Sequence, residues 1–265
     1  MKRVMLIILT MVFFCPLILY GGIEWQAQTI TKDKNKESKI ITHGYAQKGM
    51  VREEYVEVSE EMNQLTKKGI YWLYFADKNE VYIVDPEEKS YIVMNIDSLS
   101  RFIDAVGQFI KFTISNAQIE VKELTSEKVL EIDCKHLQIN SSYDMETKIM
   151  VMKVKSHTEE TKEIWATNKH IEDISLNFSK KSFTTGIADL DSIVRKEMEV
   201  YGNIGFILKS ITTSKTTDAK GKITSERTSE MFIENLAVKE LSEDLFKIPS
   251  DYKQIEFNLN LEHDN

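Results

Sequence analysis

The chain is 265 residues long, with 42 acidic and 34 basic side chains and a formal net charge of −8. Nucleic acid and anionic headgroups would repel such a chain, so nucleic acid is excluded as a partner, and any transient membrane contact has to rest on apolar side chains or a local basic patch. Beyond the first twenty residues Cys134 is the one cysteine, which excludes an internal disulfide there and leaves stability to the core.

Lys2 and Arg3 form a short basic start, followed by the apolar run "VMLIILTMVFFCPLILY" and the small residues Gly21 and Gly22. This order predicts a signal peptide over 1–21 and export, with the periplasm as the expected compartment. Two alternatives stay open. The run is near the lower limit for a membrane-spanning helix, although Pro16 interrupts it, so an uncleaved anchor is the rival. Lipidation at Cys15 is the third, against which Phe14 is large for the position before a lipidated cysteine.

Alternation with period two begins around Trp25 in "GIEWQAQTI" and continues through "KIITHGYAQ", "MVREEYVEV", "GIYWLYF", "EVYIVD" and "KSYIVMN". The separators "ADKN" and "DPEE" carry turn chemistry. The spacing then changes. Ile96, Leu99, Phe102, Ile103, Val106 and Phe109 or Ile110 fall on one helical face after a cap at Asn95 or Asp97, predicting a helix over 96–110. A second strand series reads "AQIEVKEL", "KVLEID", "KHLQIN", "TKIMVMKV" and "TKEIWATN". A second helix follows, on Ile187, Leu190, Ile193, Val194, Met198 and Tyr201, stopped by Gly202. Last comes a long hairpin around "DAKG", turning at Gly221. No Pro- or Gly-rich linker divides the chain, so residues 22–265 are expected to form a single domain. The fold class is mainly β (α+β): a large curved antiparallel sheet, or unfinished barrel, closed by two helices.

Little here points to chemistry. His43, His136, His157, His170 and His263 are scattered without metal-ligand spacing, and no phosphate loop or nucleophile elbow is present. The adjacent acid pairs Glu53–Glu54, Glu60–Glu61, Glu87–Glu88 and Glu159–Glu160 would point to opposite faces of a strand, so neither member could help the other there. Cys134, within the alternating "LEIDCKHLQI", reads as a buried structural thiol. No enzyme, metal or cofactor is expected.

Four patterns, taken in order, resemble the LolA/LolB-like family of exported proteins: "KGMVREEYVEV", "VYIVDPEEKSYIVMN", "DCKHLQI" with "MKVKSHTEETKEIWATN", and "GFILKSITT" with "MFIENLAVKELSEDLFKIPSDYKQI". The family is catalogued chiefly as a domain of unknown function, and its best-known relatives carry lipoproteins or lipids across the periplasm. The resemblance implies a curved sheet closed by helices over an apolar cavity, with lipid or lipoprotein acyl chains as partners. In the carriers an early-strand arginine bonds to the helical lid and is displaced by cargo, and Arg52 falls in that region. A plain surface partner for a neighbouring acid is its other reading.

The expected ligand-binding residues are Trp25, Arg52, Trp72, Tyr74, Met94, Phe102, Met150, Met152 and Trp165, with Tyr45 and Met50 also at inward positions. Packed core is the competing reading for the aromatic and methionine residues. Burying a methylene gains about 0.8 kcal/mol, so half an acyl chain would gain on the order of 5 kcal/mol. The expected function is therefore an exported, non-enzymatic protein that carries or senses a lipid or other apolar ligand between sheet and helices. The alternative is a structural or protein-interaction envelope protein whose barrel is filled by its own side chains.

Overall fold

The structure, a computed structural model, describes residues 21–34, 36–59, 66–78, 80–95, 110–149, 152–168, 195, 196, 199 and 204–256; for 95, 110–112, 149 and 152 it describes the backbone alone. The alternating segments form twelve strands: β1 (Gly22–Asp33), β2 (Lys36–Gln47), β3 (Met50–Val58), β4 (Tyr71–Phe75), β5 (Glu80–Asp85), β6 (Ser90–Asn95), β7 (Ile110–Val129), β8 (Ile132–Ile149), β9 (Met152–Thr167), β10 (Phe206–Asp218), β11 (Ile223–Lys239) and β12 (Lys253–Gln254). They make one sheet in the order β12-β6-β5-β4-β3-β2-β1-β11-β10-β9-β8-β7. Every pairing is antiparallel except the short β12–β6 ladder. β1 lies between β2 and β11, so the first strand joins the two halves of the sheet.

This corrects the expected fold class. The sheet is open, with β12 and β7 as its edges, and among the described residues no pair of helices closes it. Among the described residues α-helix is confined to Arg195, Lys196, Glu199 and Ile204, of which Ile204 is buried with Leu137 and Ile139 of β8 and Ile164 and Ala166 of β9, and a 3-10 turn at Glu243–Phe246 lies against β3. Most of the 96–110 segment is outside the described residues, and Ile110 already opens β7. Of the second helical segment, Arg195, Lys196 and Glu199 are described; they are helical and exposed. Strands of 16 to 20 residues satisfy each other's backbone over most of their length, so this half of the sheet is built by long ladders and needs no helix for its hydrogen bonds.

Turn chemistry explains which boundaries were legible. Lys48 and Gly49 both have positive φ, as a tight two-residue hairpin requires, and the Lys-Gly pair ends β2 where expected. Leu130 and Glu131 also take positive φ, at 51° and 60°, without a glycine or asparagine. "AQIEVKEL" and the start of "KVLEID" are consequently one strand, β7, and the chain reverses in the middle of the second segment.

Cross-strand register defines the two faces. One face carries the rows Ile23–Ala46–Val51–Tyr74–Val81–Met94 and Trp25–Gly44–Glu53–Trp72–Ile83–Ile92. The other carries Glu24–Tyr45–Arg52–Leu73–Tyr82–Val93 and His43–Glu54–Tyr71–Val84–Tyr91. A central cluster joins Ile23, Trp25, Ala27, Ala46, Leu208 and Ile233 to Cys134 and Trp165. Bulges at Gln26/Ala27 and Ile207/Lys209 interrupt the alternation between these strands.

Candidate functional site

The second face is covered by the C-terminal segment. After β11 the chain runs back over β3–β5 as a strap of residues 241–255. Leu241 and Phe246, both buried, pack with Tyr71, Leu73 and Val84 of the sheet, and Leu245, Ile248 and Tyr252 extend the contact toward Tyr45, Met50, Phe75, Tyr82 and Tyr91. Ser242 caps the 3-10 turn by accepting from the Asp244 amide at 3.2 Å. The strap ends by adding β12 to β6: the Lys253 amide donates to the Lys89 carbonyl and the Ile255 amide to the Tyr91 carbonyl, each at 2.9 Å. Lys89 Nζ meets Asp251 Oδ2 at 2.9 Å on the surface.

Arg52 holds the middle of this strap. Its Nη1 donates to the Leu245 carbonyl at 3.1 Å and its Nη2 to Glu54 Oε2 at 2.7 Å. The guanidinium lies 3.7 Å from the centre of the Tyr71 ring, a cation–π stack. Its side chain is 16% exposed, and its Nε is buried with no hydrogen-bond partner. A charge this desolvated needs its acceptors, and one of them is a main-chain oxygen of the cover. Burial raises the Tyr71 hydroxyl above its ordinary pKa, with Arg52 pulling the other way. Tyr45 is raised by burial and then by Glu24 and Glu54. Burial and a 2.6 Å hydrogen bond to Glu80 push Tyr82 up to about 12. These phenols stay neutral at physiological pH and present aromatic walls.

The expected site residues that the structure describes lie on both faces of the sheet. Trp25, Trp72, Tyr74 and Met94 share the first face, while Arg52 is on the second, with the sheet between them. Trp25 is buried in the core: its indole lies over Gly44, where a Cβ would run into the ring, and edge-on to Phe206 at 5.3 Å. Tyr74 is buried, and Trp72 and Met94 are half-buried; the Trp72 indole N–H is buried without an acceptor. Trp165 belongs to the same central cluster as Trp25 and is stacked on His136 at 4.1 Å, with Lys209 Nζ 4.2 Å over the ring and its N–H donated to Glu127 at 3.0 Å. Met152 is in β9, and Phe102 and Met150 lie outside the described residues.

Sequence reasoning missed the aromatic group Tyr71, Tyr82, Tyr91 and Tyr252 around the strap. The signal available was "LFKIPSDYK", whose apolar residues are spaced to lie across strands rather than to join them. A separate cleft of about 410 Å³ is lined by Ser126, Asp133, Cys134, Lys135, Ala166, Thr167 and Asn168, none of them an expected site residue. The Cys134 thiol is buried, donates to the Ile132 carbonyl at 3.4 Å and is pushed up in pKa by burial, as a structural thiol is. Among the described residues no group of histidine, cysteine and acid side chains could hold a metal ion.

No protein-family model and no curated protein sequence matches this chain. Among solved structures it is similar to a domain described as an outer membrane lipoprotein-sorting protein from Vibrio parahaemolyticus, at 12% identity and a TM-score of 0.31, covering 86% of this chain and 89% of that one. It is also similar to PNGF-II, at 11% identity and a TM-score of 0.35, over 89% of this chain and 31% of that one. A DUF1329 family protein from Desulfovibrio piger is 9% identical with a TM-score of 0.25, over 89% and 93% of the two chains. At these degrees of likeness the fold rests on this chain's own strands.

Proposed function

We propose that this chain is an exported, non-enzymatic binding protein that carries or senses a lipid or another apolar ligand between the sheet and the C-terminal strap. The observation that carries the reading is the Arg52 tether. An apolar patch of Tyr71, Leu73 and Val84 is roofed by Leu241 and Phe246, and the turn of the roof is tied to the sheet by a guanidinium bond to the Leu245 carbonyl. A ligand that slides under the strap replaces apolar contacts with apolar contacts. A carbonyl or ester oxygen on that ligand would accept the same N–H. Binding and opening are then one event.

The test is transfer of a fluorescent fatty acid into wild type and Arg52→Leu, with equal folding checked by circular dichroism. The variant is expected to take up and release the probe faster, because one tie of the cover is gone. Equal rates in both proteins would contradict the tether. Absence of uptake by either protein would favour the second reading, a structural or interaction protein of the envelope with a filled sheet. That reading has its own support: Trp25, over Gly44 and against Phe206, already occupies the space it would offer a ligand.

A further inference from the structure

β7 forms one edge of the sheet and pairs only with β8 among the described residues. Such an edge offers a row of backbone donors and acceptors to another strand. Its ladder to β8 is broken by bulges at Ser115/Gln118 and at Leu124/Glu127, leaving a regular stretch over 118–124. Val121 is the middle residue of that stretch and is 43% exposed. Glu120 and Lys122 flank it on one face, 63% and 52% exposed, and meet each other at 3.4 Å.

We infer that two copies of this chain pair through β7, antiparallel over 118–124, about a two-fold axis at Val121. Glu120 of each copy then faces Lys122 of the other, twice, and the two Val121 side chains pack together. The charges select this register. A two-fold at residue 120 sets Glu against Glu, and one at 122 sets Lys against Lys; parallel pairing in register does both. The bulges lie symmetrically about Val121 and stop the ladder at either end, so the contact closes as a dimer and does not extend. β7 carries Lys111, Lys122 and Lys128 against Glu120, Glu123 and Glu127, so this edge of an acidic chain is locally neutral and does not repel its copy. The inference is independent of the ligand reading.

Sedimentation velocity over micromolar concentrations tests it on wild type, Glu120→Lys, Lys122→Glu and the double swap. Wild type is expected to dimerise. Each single reversal turns both cross-strand pairs repulsive and is expected to weaken the dimer roughly tenfold, and the double swap restores it. Val121→Cys is expected to give a covalent dimer with a short bifunctional thiol reagent, whereas Ile223→Cys, equally exposed on β11, is not. A wild type that is monomeric throughout, single reversals that dimerise like wild type, or a double swap that fails to recover would each overturn the inference.

Discussion

Trp25 and Gly44 are opposite each other on adjacent strands, and the missing side chain of one is the space filled by the other. This pair shows why an aromatic residue opens the sheet: β1 touches both halves, and a large side chain at its centre packs against Phe206 of the second half. Gly44→Ala forces a methyl into the indole and is expected to cost about 1–3 kcal/mol, read as a lowered denaturant midpoint with unchanged slope. A variant as stable as wild type would mean that the indole can move aside. At Arg52 the fork geometry matters as well as the charge. A lysine cannot reach the Leu245 carbonyl and Glu54 with separate nitrogens while stacking on Tyr71. Arg52→Lys is therefore expected to release a fluorescent fatty acid faster than wild type, which stopped-flow displacement measures.

The strap is the element on which the candidate site depends. Phe246 is 3% exposed beneath it, so Phe246→Ala is expected to cost about 3–5 kcal/mol if the roof is dry, and far less if ligand normally fills that space. Its far end has a defined pH window. Lys89 holds the Asp251 carboxyl below its ordinary 3.8, a contribution complete above that value and lost as pH falls through the lower folded one. Asp251 holds Lys89 above 10.5, a contribution complete below that value and lost as pH rises through the higher folded one. Protection of the Lys253 and Ile255 amides, corrected for intrinsic exchange, is thus expected to be flat between those limits and to fall in acid. Most strands were legible at this scale, because side-chain alternation marks them directly. Arg52 was singled out by its position on an early strand, but its face relative to Trp72 depends on the register of β3 against β4, which follows a connection partly outside the described residues. The Leu130–Glu131 reversal had no sequence signal, since neither residue favours positive φ.

The described strands form a single open sheet with two differently dressed faces. One face gathers Trp72, Tyr74 and Met94 in rows continuous with the central core. The other holds the tethered strap, and the two edges differ as much: β12 is two residues long, while β7 is 20. An edge that long is either protected or used, and the charge pattern about Val121 suits use by a second copy. Pairing there leaves the strap free, since β7 and β6 are at opposite ends of the strand order. Ligand binding and dimerisation are accordingly expected to be separable, with Lys122→Glu taking up fatty acid as wild type does. The most direct measurement of the ligand reading is native mass spectrometry of the protein purified from the cells that make it. A mass above that of the chain, lost on activation as a lipid-sized neutral or ion and reduced in Arg52→Leu, is the expected result. A bare chain mass in both proteins, before and after incubation with lipid, would contradict it.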